Sequence, residues 1–589
     1  MIMDTFRIVV VCTILMPGCI LTCQVRENEE LTKDWWQTAQ FYQIYPRSFM
    51  DSNGDGIGDL NGITSKLEYL NEIGVTAAWL SPIFKSPMFD FGYDISSFYD
   101  IQDEYGTIDD FKKLIAKANR LGLKIILDFV PNHASTESKW FKKSVKREKN
   151  YEDFFVWHDG YENPNGGNRL PPSNWLQAFR GSAWEWNAER KQFYLHQYTV
   201  QQADLNYRNP LVVEEMKRVL RFWLEIGVAG FRIDAVPMLF EALPDINGRY
   251  LDEPPSGITN DPENSDYLKH LYTQDQPETL DMVYQWRTVM DDFQRIHGGD
   301  TRVLLIETYS PASFTMKIYG NRTTKGAHLP FNFNLITMLN KGFSATDLSR
   351  SISSWWDNMP PGQTANWVIG NHDKRRASSR YGEDLIDTMN MLVMMLPGAS
   401  ITYQGEELGM PDGIISWEDS VDPAACNSNK EIFEEFTRDP ARTPFQWSDA
   451  QNAGFSTAAK TWLPIAAGYE TINVEAEKNT PTSHLNIYKA LVRERKNRKL
   501  LQFGDLKFKA INEKVFLLER SFTTGEKLIL IANVGNQPSI INVDEFDSTF
   551  RGNVKTLILN LKSTKTEGTV LPARNLQLSA YEALVIERA

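Results

Sequence analysis

The chain has 589 residues, 42% apolar and 23% charged, which is ordinary for globular protein and long enough for several domains or one large barrel with additions. Its net charge of −14 speaks against a nucleic-acid partner, because phosphate recognition needs a basic face. Sixteen Trp and 22 Tyr serve core packing first, but they also suit clefts for flat, amphipathic ligands such as sugars.

The N-terminus, MIMDTFR followed by IVVVCTILMPGCILTC, has the charged, apolar and small-residue zones of a secretory signal peptide over residues 1–23. A membrane-spanning helix needs about twenty apolar residues, and Pro17 sits badly inside one. The expectation is a secreted protein without a membrane span, mature from Gln24. Cys12, Cys19 and Cys23 fall in or beside this leader. Cys426 is then alone, so neither a disulfide framework nor a zinc cluster is expected.

FYQIYPRSF (41–49) is the first apolar run, and DSNGDGIGD (51–59) follows it. Asp51, Asn53, Asp55 and Asp59 alternate with small residues, like the first half of an EF-hand loop. The twelfth position is Gly62 instead of glutamate, and a strand precedes where an EF-hand has a helix, so this is no calcium sensor. TAAWLSP (76–82) and KIILDFVPNH (124–133) read as buried parallel strands. Between them, TIDDFKKLIAKANRLG predicts an amphipathic helix with a Thr107–Asp110 capping box and an apolar face of Phe111, Leu114, Ile115 and Ala118.

Nearly a hundred residues then separate the third strand from the fourth, and NPNGGNRLPPSNW (163–175) within them predicts an irregular inserted domain. GFRIDAV (230–236), VLLIET (303–308), HLPFNFN (328–334), NWVIGNHD (366–373) and SITYQGEE (400–407) continue the strand series, and SHLNIYKALVRERK (483–496) is the last helix. Strand–helix alternation repeated about eight times predicts an α/β protein built on a (β/α)8 TIM barrel. Beyond it, KVFLLERSF, EKLILIANV, VKTLILNL and ALVIERA predict an antiparallel C-terminal β-sandwich. The expected division is barrel over 24–133 and 208–507, insertion over 134–207 and sandwich over 508–589. Asn321-Arg322-Thr323 is a sequon with a permitted middle residue, making Asn321 a candidate glycosylation site.

Barrel enzymes place their chemistry at the C-terminal ends of strands. Asp128 and His133 close the third run, Arg232 and Asp234 the fourth, Glu307 the fifth, and His372 and Asp373 the seventh. Carboxylates at these strand ends, beside an arginine and two histidines, fit glycoside hydrolysis, in which one carboxylate attacks or activates water and another protonates the leaving oxygen. Arg232 is expected to keep Asp234 ionised as a nucleophile. The apolar VLLI run is expected to raise the pKa of Glu307, as a general acid requires.

GFRIDAV, the glutamate after VLLI, NHD, DFVPNH and DFGYD (Asp90 to Asp94) resemble the motifs of the α-amylase family of retaining glycosidases, from about Trp35 to the C-terminus. RDPARTPFQW (438–447) and ISWEDSVDP (415–423) resemble its maltase and oligo-1,6-glucosidase branch, most of all the secreted insect maltases. The resemblance implies Asp234 as nucleophile, Glu307 as acid/base and Asp373 as stabiliser of the oxocarbenium-like transition state. It implies that Asp90 and Arg438 recognise the non-reducing end, that Tyr93 stacks under the ring, and that His133, Arg232 and His372 hydrogen-bond it. Phe179 and Arg442 would line the pocket.

The resemblance further implies a structural calcium site, with magnesium as an alternative, on Asp51, Asn53, Asp55, the Ile57 carbonyl and Asp59. Ala203 stands where the family's Gln-Pro-Asp-Leu-Asn motif has proline, which bears on that loop's rigidity. Ala235, after the implied nucleophile, favours α-1,4 over α-1,6 linkages. The expected activity is exo-acting hydrolysis of maltose, sucrose and malto-oligosaccharides, with transglucosylation possible. A glucosyl-transferring sucrose isomerase and a non-catalytic, transport-accessory protein are the alternatives.

Overall fold

Eight short parallel strands carry the fold in the computed structural model, which describes residues 32–589. The expected leader at 1–23, with Cys12, Cys19 and Cys23, lies outside the described residues. The strands are β1 (Gln40–Ile44), β2 (Ala77–Leu80), β3 (Lys124–Phe129), β4 (Gly230–Ile233), β5 (Val303–Ile306), β6 (Leu329–Pro330), β7 (Asn366–Val368) and β8 (Ala399–Tyr403). They lie side by side in the order β6-β5-β4-β3-β2-β1-β8-β7. A side chain joins β6 to β7: Asn366 donates to the Pro330 carbonyl at 2.6 Å and accepts the Asn332 N–H at 2.9 Å.

Each strand is buried on both faces, which is why it reads as a continuous apolar run. Phe41, Trp79, Ile126, Leu305 and Ile401 fill the barrel interior. Their neighbours Tyr42, Leu80, Ile125, Leu127 and Leu304 pack outward against the helices. Helix α1 (Ile108–Arg120) has the Thr107–Asp110 capping box and buries Phe111, Leu114, Ile115 and Ala118. Helix α2 (Pro210–Ile226) starts at an Asn209 cap with proline in its first turn and stops at Gly227 in the left-handed region, φ 116°. At the head of β4, Gly230 has φ +153°, and an added Cβ would sit 2.1 Å from the Val303 carbonyl oxygen. Close pairing with β5 therefore requires glycine there.

The apolar runs overstate strand length. FYQIYPRSF is strand only to Ile44, because Pro46 opens a 3-10 turn over Pro46–Ser48. HLPFNFN contributes only Leu329–Pro330. The insertion springs from a neck in which His133–Ser135 pairs antiparallel with Gln202–Asp204. Ala203, in the proline's place, is fully buried opposite Ala134. A three-stranded sheet of Trp157–His158, Gln192–Leu195 and Trp184–Asn187 follows, packed around Trp175, Trp184 and Phe193.

The C-terminal sheet has six antiparallel strands, from Asp505–Ala510 to Ala583–Arg588, with Ser539–Ile541 and Leu576–Leu578 as a second layer. Val515, Leu517, Ile529, Ile541 and Leu576 form the core between the two layers. Phe516, Leu518 and Leu530, on the other face, join the core around the barrel. The first strand starts at Asp505 and not at Phe508, because DLKFKA alternates between exposed and half-buried and lacks a dense apolar signal.

Candidate active site

Strand register builds the centre of the site. Arg232 on β4 stands directly beside Asp128 on β3, and its Nη1 donates to both Asp128 oxygens at 3.0 Å. The same nitrogen reaches Asp234 Oδ1 at 2.5 Å, one residue past the end of β4. Nη2 lies 3.4 Å from Glu307 Oε1, one residue past β5. Ala235, in the left-handed region at φ 53°, turns its N–H onto Glu307 Oε2 at 2.8 Å. One guanidinium thus serves three carboxylates.

That sharing corrects the expectation for Asp234. Burial raises its pKa to about 7; Arg232 opposes the rise, and Asp128 and Asp373 add to it. Burial raises Glu307 further, to about 8, again against Arg232. With one positive charge among three buried carboxylates, the one held least tightly keeps its proton, and that is Glu307 with its longest contact to Arg232. Asp128, with two contacts to Arg232 and a third from Trp79 Nε1 at 3.3 Å, is the best-held anion of the three.

Asp373 lies beyond β7 in a different field. Burial works against its charge, yet the guanidinium groups of Arg438 and Arg442 hold its carboxyl well below the usual range. Arg442 Nη2 is 3.1 Å and Arg438 Nη1 3.3 Å from Asp373 Oδ1. Burial lowers His372 to about 3, so this imidazole is neutral. It lies between Tyr45 and Tyr93, the latter nearly parallel at 5.4 Å, and its Nε2 meets the Tyr93 hydroxyl at 2.5 Å. Arg438 also pairs with Asp90 at 2.8 Å. His133 is buried and neutral, with its Nε2 3.1 Å from the Tyr93 carbonyl.

Asp234, Glu307, Asp373, Arg232, His372, Tyr93, Asp90, Arg438 and His133 thus form one connected cluster at the strand ends. Three supports in it were not singled out as site residues. Asp422 grips Arg438 from behind, at 2.6 Å to Nη2. Gln43 Nε2 contacts His372 Nδ1 at 2.8 Å. Gln202 Nε2 bridges His133 and Asp90, at 3.1 and 3.3 Å. A glutamine fully buried in β1, two residues from interior-facing Phe41, was the signal available for Gln43.

The acidic loop lies apart from this cluster and is fastened by its own amides. Asp51 accepts the N–H groups of Asn53, Gly54 and Gly56 at 2.7–3.0 Å and the Ser456 hydroxyl at 2.5 Å. Burial opposes its charge, but these bonds hold the carboxyl below its usual range. Asp59 caps the helix Leu60–Ser65 through the Gly62 N–H at 2.7 Å, and Asn53 and Asp55 contact each other at 3.1 Å. The donors are oxygens alone, the chemistry calcium takes. Among the described residues, however, no three His, Cys, Asp or Glu side chains are gathered as a metal cluster. Asn321 is exposed.

The α-amylase catalytic-domain family matches residues 43–504. The chain belongs to the α-amylase family. It is 50% identical to Maltase A1 of Drosophila melanogaster over 94% of this chain and 96% of that protein. It is 51% identical to a salivary α-glucosidase of Aedes aegypti over 86% of each chain. Among solved structures, the α-glucosyl transfer enzyme XgtA superposes with a TM-score of 0.82 at 32% identity, covering 95% of this chain and all of that one. With its buried carboxylates in place, this α-amylase family member is a glycoside hydrolase.

Proposed function

We propose that the protein is a secreted, exo-acting, retaining α-glucosidase that releases terminal glucose from maltose, sucrose and short malto-oligosaccharides. The observation that carries this reading is the meeting of Asp234 and Glu307 from adjacent strand ends on the one Arg232 guanidinium, with Asp373 held opposite by Arg438 and Arg442. In the first step Asp234 in its ionised form attacks the anomeric carbon, and Glu307 gives its proton to the glycosidic oxygen as the C–O bond breaks. Asp234 is then esterified by glucose and Glu307 is a carboxylate. Glu307 next takes a proton from water, whose oxygen attacks the same carbon and frees Asp234. Two inversions give net retention.

Arg232 balances charge on Asp234 and Glu307 as the proton moves, without titrating itself. The Asp90–Arg438 pair would close the pocket behind the non-reducing end, limiting the enzyme to chain termini. A sugar hydroxyl could replace water in the second step, and the structural likeness to a glucosyl transfer enzyme supports transglucosylation as a side reaction. Retention of all three carboxylates weighs against a purely accessory role, and among the described residues no helix is long and apolar enough to cross a membrane.

We assign the acidic loop, by its oxygen-only donor set, as a calcium site on Asp51, Asn53, Asp55, Ile57 and Asp59 that would tie the loop down without entering the chemistry. Exposed Asn321 is proposed as a glycan attachment point. The activity is tested by glucose release from maltose, sucrose and isomaltose with wild type and Asp234→Asn. Maltose and sucrose should be cleaved faster than isomaltose, and the variant should fold yet lose at least about 10³-fold in kcat. Comparable turnover by the variant would remove Asp234 from the mechanism.

A further inference from the structure

Main-chain bonds carry the barrel ladder one residue past the ends of β4 and β5. The Asp234 N–H still donates to the Phe129 carbonyl of β3 at 2.9 Å, and the Glu307 N–H to the Ile233 carbonyl of β4 at 2.9 Å. Successive N–H groups of a parallel strand face opposite neighbours, so the next one, on Ala235, faces β5. It meets the Glu307 side chain there instead of a main-chain carbonyl, at 2.8 Å to Oε2. Ala235 is 2% exposed and turns in the left-handed region, φ 53° and ψ 29°, which residues other than glycine seldom occupy. Backbone strain persists only where the surroundings impose it, and at reaction centres it serves to aim a group. The group aimed here is the Ala235 N–H.

The two oxygens of Glu307 are therefore unequal. Oε2 accepts a short bond from a peptide N–H, a donor that keeps its own proton at any ordinary pH. Oε1 has, among the described residues, the 3.4 Å contact to Arg232 Nη2 and no hydrogen bond. A donor aimed at Oε2 competes with an O–H on that oxygen, so the proton of neutral Glu307 belongs on Oε1. When this proton leaves, the carboxyl becomes an anion and the same N–H becomes a charge-assisted donor, in a stronger bond than the neutral acid receives. An interaction that strengthens as the proton transfers lowers the barrier to that transfer.

We propose that Ala235 is a positioning residue for the acid/base: its peptide N–H keeps the transferable proton of Glu307 on Oε1 and takes up the charge that reaches Oε2 as the proton leaves. The acid/base role rests on the α-glucosidase reading; the N–H on Oε2 does not. In the first step the proton on Oε1 passes to the glycosidic oxygen as the C–O bond breaks and an Asp234 oxygen bonds the anomeric carbon. One negative charge thus moves from Asp234 to Glu307. In the second step water returns a proton to Glu307 and the charge returns to Asp234. Because Ala235 directly follows Asp234, the residue that gives up the charge is joined by one peptide bond to the N–H that receives it. The charged and titratable groups around Glu307 are Arg232 and Asp234 from β4, Asp128 from β3, Asp373 beyond β7, and the hydroxyls of Tyr198 and Tyr309. To these the Ala235 N–H adds a donor fixed by the backbone.

The test is an NMR pH titration of the full-length protein, isotopically labelled at aspartate carbonyl carbons and alanine nitrogens so that only Asp–Ala peptide bonds are selected. The sequence has two, ending in Ala235 and Ala450. The Ala235 N–H should move downfield with a midpoint that coincides with the alkaline limb of kcat/KM, and Glu307→Gln should abolish the movement. Ala450, exposed on another loop, should not follow it. An Ala235 signal that stays in place while Glu307 titrates, or that moves as much in Glu307→Gln, overturns the proposal. Replacing the Asp234–Ala235 amide by an ester, with lactate in place of alanine, removes the N–H alone. With a donor to the charged form gone the pKa of Glu307 rises, so the alkaline limb should move up by about one pH unit while kcat/KM falls about tenfold. Ala235→Gly keeps the N–H and should keep the limb where it is. Activity lowered equally at every pH in the ester protein, with the limb unmoved, would also overturn the proposal. The titration decides alone if the ester protein does not fold. A titrating Ala235 signal in a protein that hydrolyses no α-glucoside would leave the N–H on Glu307 standing and remove the proposed activity.

Discussion

At the scale of single residues, the proposed activity depends on how three carboxylates share Arg232. A carboxyl acting as the acid must be protonated, and one acting as the nucleophile must not be. Burial sets Glu307 near 8 and Asp234 lower, near 7. kcat/KM for maltose should therefore be bell-shaped, falling on the alkaline side as Glu307 loses its proton near pH 8 and on the acid side as Asp234 gains one. Glu307→Gln should abolish the alkaline limb together with most of the activity towards poor leaving groups. A wild-type profile flat to about pH 10 would take Glu307 out of the acid role. The carboxylates themselves were legible in the sequence, because each follows an apolar strand run. Their charge balance was not. Asp234 reads as a simple partner of Arg232 two residues earlier, while Asp128 and Glu307, which draw on the same guanidinium, are 104 positions before and 75 after that arginine.

At the scale of elements, β4 shows how backbone geometry places that chemistry. Gly230 lets β4 lie against Val303, and that pairing puts Arg232 beside Asp128 and brings Asp234 and Glu307 out at adjacent strand ends. Gly230→Ala would force a methyl group against the Val303 carbonyl and should lower stability by about 3 kcal/mol, read as a shift in the urea midpoint. A shift under about 0.5 kcal/mol would show that β4 and β5 can separate without consequence. Helix α1 was legible residue by residue, since its cap and its apolar face are both local patterns. Strand β6 was not, because only two residues of HLPFNFN pair in the ladder, and the closure onto β7 depends on the side chain of Asn366, a long-range partner that leaves no periodic trace.

At the scale of the whole molecule, the barrel, the insertion and the C-terminal sheet pack around continuous apolar cores, and the acidic loop is pinned to a distant segment by the Ser456 hydroxyl on Asp51. If calcium occupies this loop, chelation should lower the thermal midpoint by several degrees while leaving maltose hydrolysis at moderate temperature within about twofold. Activity lost first, with the midpoint unmoved, would contradict a purely structural ion. The proposed reaction is a double displacement at one carbon through Asp234. The most direct test is NMR of the glucose released from sucrose by the purified protein, recorded before the anomers equilibrate, because sucrose yields a single glucose beside its fructose. α-Glucose appearing first is the expected result; β-glucose first would mean a single displacement by water and would exclude a glucosyl ester on Asp234.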